Sequence, residues 1–149
     1  MSEQRHARPA VQYGPTAATV AANIKRIRKA RGLSVYTLSD RLRDAGRTVA
    51  PSAISKVERC ERQVHVDELV VFAAALDVSP SALLLPPTDN PSEKVEITGA
   101  GPIPADQAWD WMDGRRRLDQ PSPDPSSAAL LYLLHSRPPI RRNREIGSH

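Results

Sequence analysis

The chain has 149 residues, a formal net charge of +4, a single cysteine and four histidines. That length suits one modest core with tails that need not pack. A lone thiol, Cys60, allows no internal disulfide, and His6, His65, His135 and His149 stand at no metal-ligand spacing with it, so neither metal nor cofactor is expected. No apolar run nears the roughly 20 residues that span a bilayer, and the N-terminus has no signal-peptide apolar stretch; a reduced, cytoplasmic protein without a membrane partner is predicted.

The charge is unevenly placed. Residues 23–63 hold 11 Lys/Arg against 4 Asp/Glu, a balance of +7, whereas residues 64–113 hold 1 against 9, a balance of −8. A concentrated cationic segment favours a polyanion, because each neutralised phosphate releases condensed counterions. Its confinement to one predicted helical unit strengthens that reading.

In chain order, residues 1–14 show no periodicity and are read as a mobile arm. From about Thr16 the pattern turns helical, with Val20, Ile24 and Ile27 at three- and four-residue steps and Lys25, Arg26, Arg28 and Lys29 between them. Gly32 supplies the left-handed position that ends such a helix. Ser34 can cap the next one, its hydroxyl accepting an otherwise unpaired N–H; that helix runs from about Val35 to Ala45 and stops at Gly46. After the connector 47–50, Pro51 suits the first position of a third helix, where its missing N–H costs nothing. Ile54 and Val57 form its buried stripe and leave Ser52, Ser55, Lys56 and Arg59 pointing outward. A fourth helix, Val66 to Leu76, and a short fifth one entered at Ser79-Pro80 complete a unit whose core is Leu, Ile, Val and Ala around the single Phe72.

Past Pro86 the pattern thins. The Pro- and Gly-rich stretch 86–104 reads as linker or irregular structure with a short extended piece at Lys94-Val95-Glu96-Ile97. Ala105 to Met112 makes one or two helical turns carrying Trp109 and Trp111, which cannot share a helical face, so that one packs and the other stays partly exposed or contacts a partner. Residues 119–125 are Pro/Ser/Asp-rich, Ser126 to His135 is a short apolar helix, and a basic tail follows with Arg137, Arg141, Arg142 and Arg144. The predicted fold is therefore all-α: an arm (1–14), a five-helix domain (15–86) and a partly helical extension (87–149).

The series Ile24-Lys-Arg-Ile-Arg-Lys-Ala-Arg-Gly-Leu-Ser34, Leu38-Ser-Asp-Arg-Leu42, Ala53-Ile-Ser-Lys-Val-Glu58-Arg, Ala73-Ala-Ala-Leu-Asp-Val-Ser79 and Leu83-Leu84 resembles the Cro/C1-type (Xre-like) helix-turn-helix family. The resemblance covers about residues 20–86 and implies a lambda-repressor-like domain. In that arrangement the helix near Ser34 crosses the DNA backbone and the helix near Pro51 enters the major groove. Carried over by position, Ser52, Ser55 and Lys56 are the base-edge candidates, since lysine donates to guanine O6 or N7 and serine serves several bases. Pro51 and Ala53 add apolar contact. Ser34, Arg43, Arg47, Arg59 and Arg62 are the phosphate candidates. Arg28 and Glu58 match a family ion pair, which takes Arg28 out of the set free for DNA.

The sequence also departs from the family pattern. Eleven residues separate Leu42 from Ile54, more than the usual turn needs; Val35 replaces a polar first residue of helix two; Ala50 replaces a hydroxyl-bearing cap; Cys60 stands where glycine is usual. No Gly-rich phosphate loop or catalytic grouping is present, and no enzyme is expected. What the resemblance implies is a bacterial or phage-encoded, sequence-specific transcriptional regulator, a repressor by preference, binding double-stranded DNA; because one short helix makes few base contacts, a homodimer on paired half-sites is expected, with Ala128 to Leu134 and the tryptophan region as the candidate dimer elements. The competing reading is an antitoxin-like or adaptor protein acting through a protein partner on residues 87–149.

Overall fold

The computed structural model describes residues 13–118 and 127–146. Most of the expected arm and the Pro/Ser/Asp-rich stretch 119–125 lie outside these residues. Five helices come first: α1 (Pro15–Ala30), α2 (Val35–Asp44), α3 (Pro51–Glu58), α4 (Val66–Leu76) and α5 (Pro80–Leu84). Their apolar stripes meet in one core, in which Ile24, Leu38, Leu42, Ile54, Phe72, Leu76 and Leu83 are fully buried. Burial of each such side chain stabilises the fold by about 1.5–3 kcal/mol.

The helix ends follow from local chemistry. The Ser34 hydroxyl accepts the Thr37 N–H (3.1 Å) and that of Ser79 accepts the Ala82 N–H (3.3 Å), so α2 and α5 are capped. Two of these helices, α3 and α4, end on a left-handed residue other than glycine, Cys60 and Asp77. The Cys60 N–H donates to Val57 O (2.9 Å) and the Glu61 N–H to Lys56 O (2.8 Å), the paired bonds of a Schellman end. That end requires a left-handed residue, and Cys60 provides it at φ 57°. Asn23, nearly buried on α1, donates its amide to the carbonyls of Leu83 (3.0 Å) and Leu85 (2.8 Å), which satisfies the carbonyl end of α5 and fastens it to α1.

The stretch expected to be linker is more ordered than its composition suggests. Strands β1 (Lys94–Ile97) and β2 (Gly101–Pro104) pair antiparallel, with Val95 opposite Ile103, and lead directly into α6 (Ala105–Met112). Val95 and Ile97 face inward while Lys94 and Glu96 face out, the period-2 alternation of a half-buried strand. With Leu85, Ala105 and Ala108 they build a second apolar cluster. Both Trp109 and Trp111 pack against it, contrary to the expectation that only one would. The second cluster offers two surfaces: the Trp109 indole N–H donates to Pro86 O (3.2 Å), while Trp111 O accepts the Tyr132 hydroxyl (2.6 Å).

The hairpin is tied back to α1 by a reciprocal pair. The Thr16 N–H donates to Thr98 Oγ1 (3.2 Å) and the Thr98 N–H to Thr16 Oγ1 (3.0 Å). Gly14 permits this approach, because a Cβ there would stand 2.6 Å from Thr98 Oγ1. The apolar segment near the end forms α7 (Ala128–Ser136), and the basic tail forms a further helix, α8 (Pro139–Ile146), which the sequence did not signal.

An L-residue in the left-handed region costs about 1–2 kcal/mol, part of which glycine returns as lost chain entropy. Cys60→Gly is therefore expected to stabilise the protein by about 0.5–1 kcal/mol, read as a higher urea midpoint at unchanged slope.

Candidate nucleic-acid interface

The +7 segment folds into α1, α2 and α3, and packing decides which of its cations remain available. Arg28 reaches across from α1 to α3 in a two-pronged contact, Nε to Glu58 Oε2 (2.7 Å) and Nη2 to Glu58 Oε1 (2.8 Å), while Nη1 donates to Leu33 O (2.8 Å). Both side chains are largely buried. The bonds to Glu58 hold the Arg28 guanidinium above its ordinary range against the opposing effect of burial.

On α3, Ser52 and Lys56 are exposed, as is Arg59 at its C-cap; Pro51, Ala53 and Ser55 are half-buried. Ser55 departs from the outward position expected of it: its hydroxyl turns back onto the helix and donates to Pro51 O (3.2 Å). Ala53 leans on the core. The N-cap residue of α3, Ala50, makes no side-chain cap; Pro51 has no N–H and the Ala53 N–H donates to Ala50 O (2.9 Å), so in the first turn it is the Ser52 N–H that suits an anion.

The long α2–α3 connection is not a slack loop. Gly46 turns the chain at φ 94°, the Arg47 N–H donates to Leu42 O (2.9 Å), and Val49 drops into the core. The Ser39 hydroxyl of α2 donates to Val49 O (2.6 Å), which fixes the approach to α3. On α2 itself, Val35 packs against the core instead of meeting solvent, and the neighbouring Tyr36 is 70% exposed.

Two of the expected phosphate contacts are otherwise engaged. Arg62 Nη2 donates to Glu68 Oε2 (3.0 Å), and Arg47 Nε lies 3.7 Å from the same oxygen. Glu68, the third residue of α4, is buried and also accepts the His65 N–H (3.2 Å). A buried carboxylate must be paired, so these two arginines are drawn inward to it. Burial alone would raise the Glu68 carboxyl; the His65 N–H, Arg62 and Arg47 outweigh it and hold the carboxyl below the usual carboxylate range. A glutamate three residues past a helix entry is the one sequence signal that pointed here. Ser34 spends its hydroxyl on Thr37. Arg43 pairs with Asp40, and Arg59 with Glu61 (3.1 Å), both at exposed positions.

Residues 24–83, the segment that carries this geometry, match the helix-turn-helix family model. They are a helix-turn-helix domain of the Cro/C1 type. Among solved structures, the restriction-modification controller protein C.AhdI from Aeromonas hydrophila is 28% identical over 45% of this chain and 94% of its own, with a TM-score of 0.40. A hypothetical transcription factor from Neisseria, NHTF, is 28% identical over 54% of this chain and 90% of its own, with a TM-score of 0.44. No curated protein matches. The helix-turn-helix match over residues 24–83 supports DNA binding in a regulatory role. Among the described residues, no helix is long and apolar enough to cross a membrane.

Replacing Glu58 by Gln leaves Arg28 without its anion, and a loss of about 3–5 kcal/mol is expected for half of a buried pair; in denaturant unfolding, Arg28→Met with Glu58→Met should lose less than the two single losses combined. Glu68 makes acid stability a second test. Its lowered carboxyl contributes stability that is complete above about pH 4.3, the free-glutamate value, and is lost as pH falls through the folded value. Glu68→Gln should be less stable near neutrality by about 1–3 kcal/mol and show a flatter loss of melting temperature on acidification.

Proposed function

We propose that the chain is a sequence-specific transcriptional regulator, acting chiefly as a repressor, that inserts α3 into the major groove of double-stranded DNA. The carrying observation is the pairing of an open helix end with outward side chains: α3 begins without a side-chain cap and exposes Ser52 and Lys56 within the basic unit. Early residues of a recognition helix are the ones that face base edges.

Lys56 and Ser52 read bases in this arrangement. Ser55 offers only its acceptor lone pairs, and Pro51 and Ala53 supply apolar contact. Arg43 and Arg59 meet phosphates, because an exposed pair with Asp40 or Glu61 is weak and a phosphate can take the carboxylate's place. Ser34 and the amino end of α2 lie toward the backbone. One short helix makes few base contacts, so the protein acts as a homodimer on paired half-sites, where the second half-site gains from the first. Occupation of a polymerase site then gives repression.

Random-sequence selection followed by mobility shifts tests the reading. Selection should enrich a paired half-site motif. Lys56→Ala and Ser52→Ala should each lose about 1–3 kcal/mol of discrimination at the base they read. Arg59→Ala should weaken binding to all sequences alike and lower the salt slope by about one. Absence of any enriched sequence, with the affinity of Lys56→Ala unchanged, would overturn base reading by α3.

A further inference from the structure

A cleft of about 490 Å³ lies behind the carboxyl end of α3, walled by α1, the α3–α4 connection, the start of α4, α5 and the hairpin turn at Thr98. Sites for small molecules typically span about 300–1,000 Å³. Much of the wall is apolar. Val20 and Val57 are nearly buried members of the core that also line the cleft, and Ala17, Leu69 and Leu84 continue the same surface. Water finds few hydrogen-bonding partners on such a wall, so an apolar body is the favourable filling.

The electrostatics of the cleft have one sign. Among the described residues no acidic side chain lines it, whereas Arg62 does. Arg62 donates through Nη2 to Glu68 Oε2 (3.0 Å), while its Nη1 is buried and has no hydrogen-bond partner. A buried donor left unpaired calls for an acceptor. Glu68 does not neutralise the region, because Arg47 also approaches the same oxygen at 3.7 Å. Two cations therefore converge on one carboxylate, and the excess charge beside the cleft is positive.

We propose that this cleft binds a small amphipathic carboxylate, with its apolar body against Val20, Val57 and Leu84 and its acid group on the Arg62 guanidinium. Charge and surface select this class together. A cationic ligand would meet Arg62 with no lining carboxylate to balance it, and a neutral apolar one would leave the Arg62 donor unpaired. A small hydrophilic anion such as inorganic phosphate would leave the valine and leucine wall facing water. The planar fork of an arginine suits a carboxylate in particular, since its N–H groups match the two oxygens. Binding here is independent of what α3 reads and is tested without DNA, so its failure leaves base reading standing.

Cys60 lines the cleft and is the single thiol of the chain, so its alkylation reports occupancy at this place and no other. The full chain is treated with N-ethylmaleimide in the presence of 4-phenylbutanoate, or of 4-phenylbutanamide as its uncharged match, and labelling is followed by mass spectrometry. The acid should slow alkylation saturably, with half-protection on the order of 1 mM or below, and the amide should need about tenfold more. Arg62→Gln should weaken protection by the acid about tenfold and leave that by the amide unchanged. Ala17→Phe, which fills the cleft from a half-buried position on α1, should abolish protection by both. Far-UV circular dichroism checks that the variants fold; Ala17→Leu replaces Ala17→Phe if it does not, and the comparison of acid with amide in the wild type needs no variant. Absence of saturable protection by the acid at concentrations on the order of 10 mM would overturn the proposal. So would an amide that protects as well as the acid, or protection that survives intact in Arg62→Gln or in the filled cleft.

Discussion

The contact on which the rest of the helix-turn-helix domain depends is the forked bond of Arg28 to Glu58. One guanidinium joins α1, the α1–α2 turn through Leu33 O, and the last turn of α3. Apolar packing by itself is tolerant of small sliding, since Ile54 and Val57 could shift within a core of similar aliphatic side chains. A planar fork on a carboxylate is not tolerant in that way, because both bonds weaken when either helix rotates. The orientation of α3, and so the direction in which Ser52 and Lys56 project, is set by this pair more than by the core beneath it.

Glu68 plays a comparable role at the other end of α3. It sits at the start of α4 and gathers Arg62, just beyond α3, and Arg47, from the connector just before it. The segments entering and leaving α3 are thereby referred to one buried carboxylate. The formal +7 of residues 23–63 thus overstates the charge available to a polyanion: Arg28, Arg47 and Arg62 are spent on the fold, and Arg31 and Arg41 donate to the carbonyls of Asp77 and Ala75. Lys56 is among the cations that remain on the outward face of α3.

The helices of residues 15–86 were legible because each is announced locally: apolar residues at helical steps, Ser34 and Ser79 as caps, Pro51 and Pro80 at first positions, Gly32 and Gly46 at ends. The Arg28–Glu58 pair came from the family resemblance and not from spacing, since its partners lie 30 positions apart. What was not legible depends on distant groups. The second strand is Gly-Pro-Ile-Pro, a composition that signals a break, yet it pairs because β1 lies within reach across the turn at Gly99 and Gly101. Prolines before α8 likewise read as an end when Pro139 is a beginning. The engagement of Arg62 could not be anticipated without knowing that Glu68 is buried, and Ser55 faces outward on a helical wheel while its hydroxyl bonds within the helix.

The reciprocal bonds between Thr16 and Thr98 carry a consequence for how the chain acquires its structure. Gly14, the N-cap residue of α1, has no side chain to accept the free N–H of Thr16, so that donor is satisfied by a hydroxyl 82 positions later. Helix one emerges before the hairpin during synthesis, yet its amino end is completed only after the hairpin. Its amino end must wait, solvated and frayed, until the hairpin has closed and returned to it. A long loop must therefore be closed before this contact forms, which assigns it to a late stage of folding. The hairpin that looks like an appendage in sequence is thus what completes the amino end of the first helix.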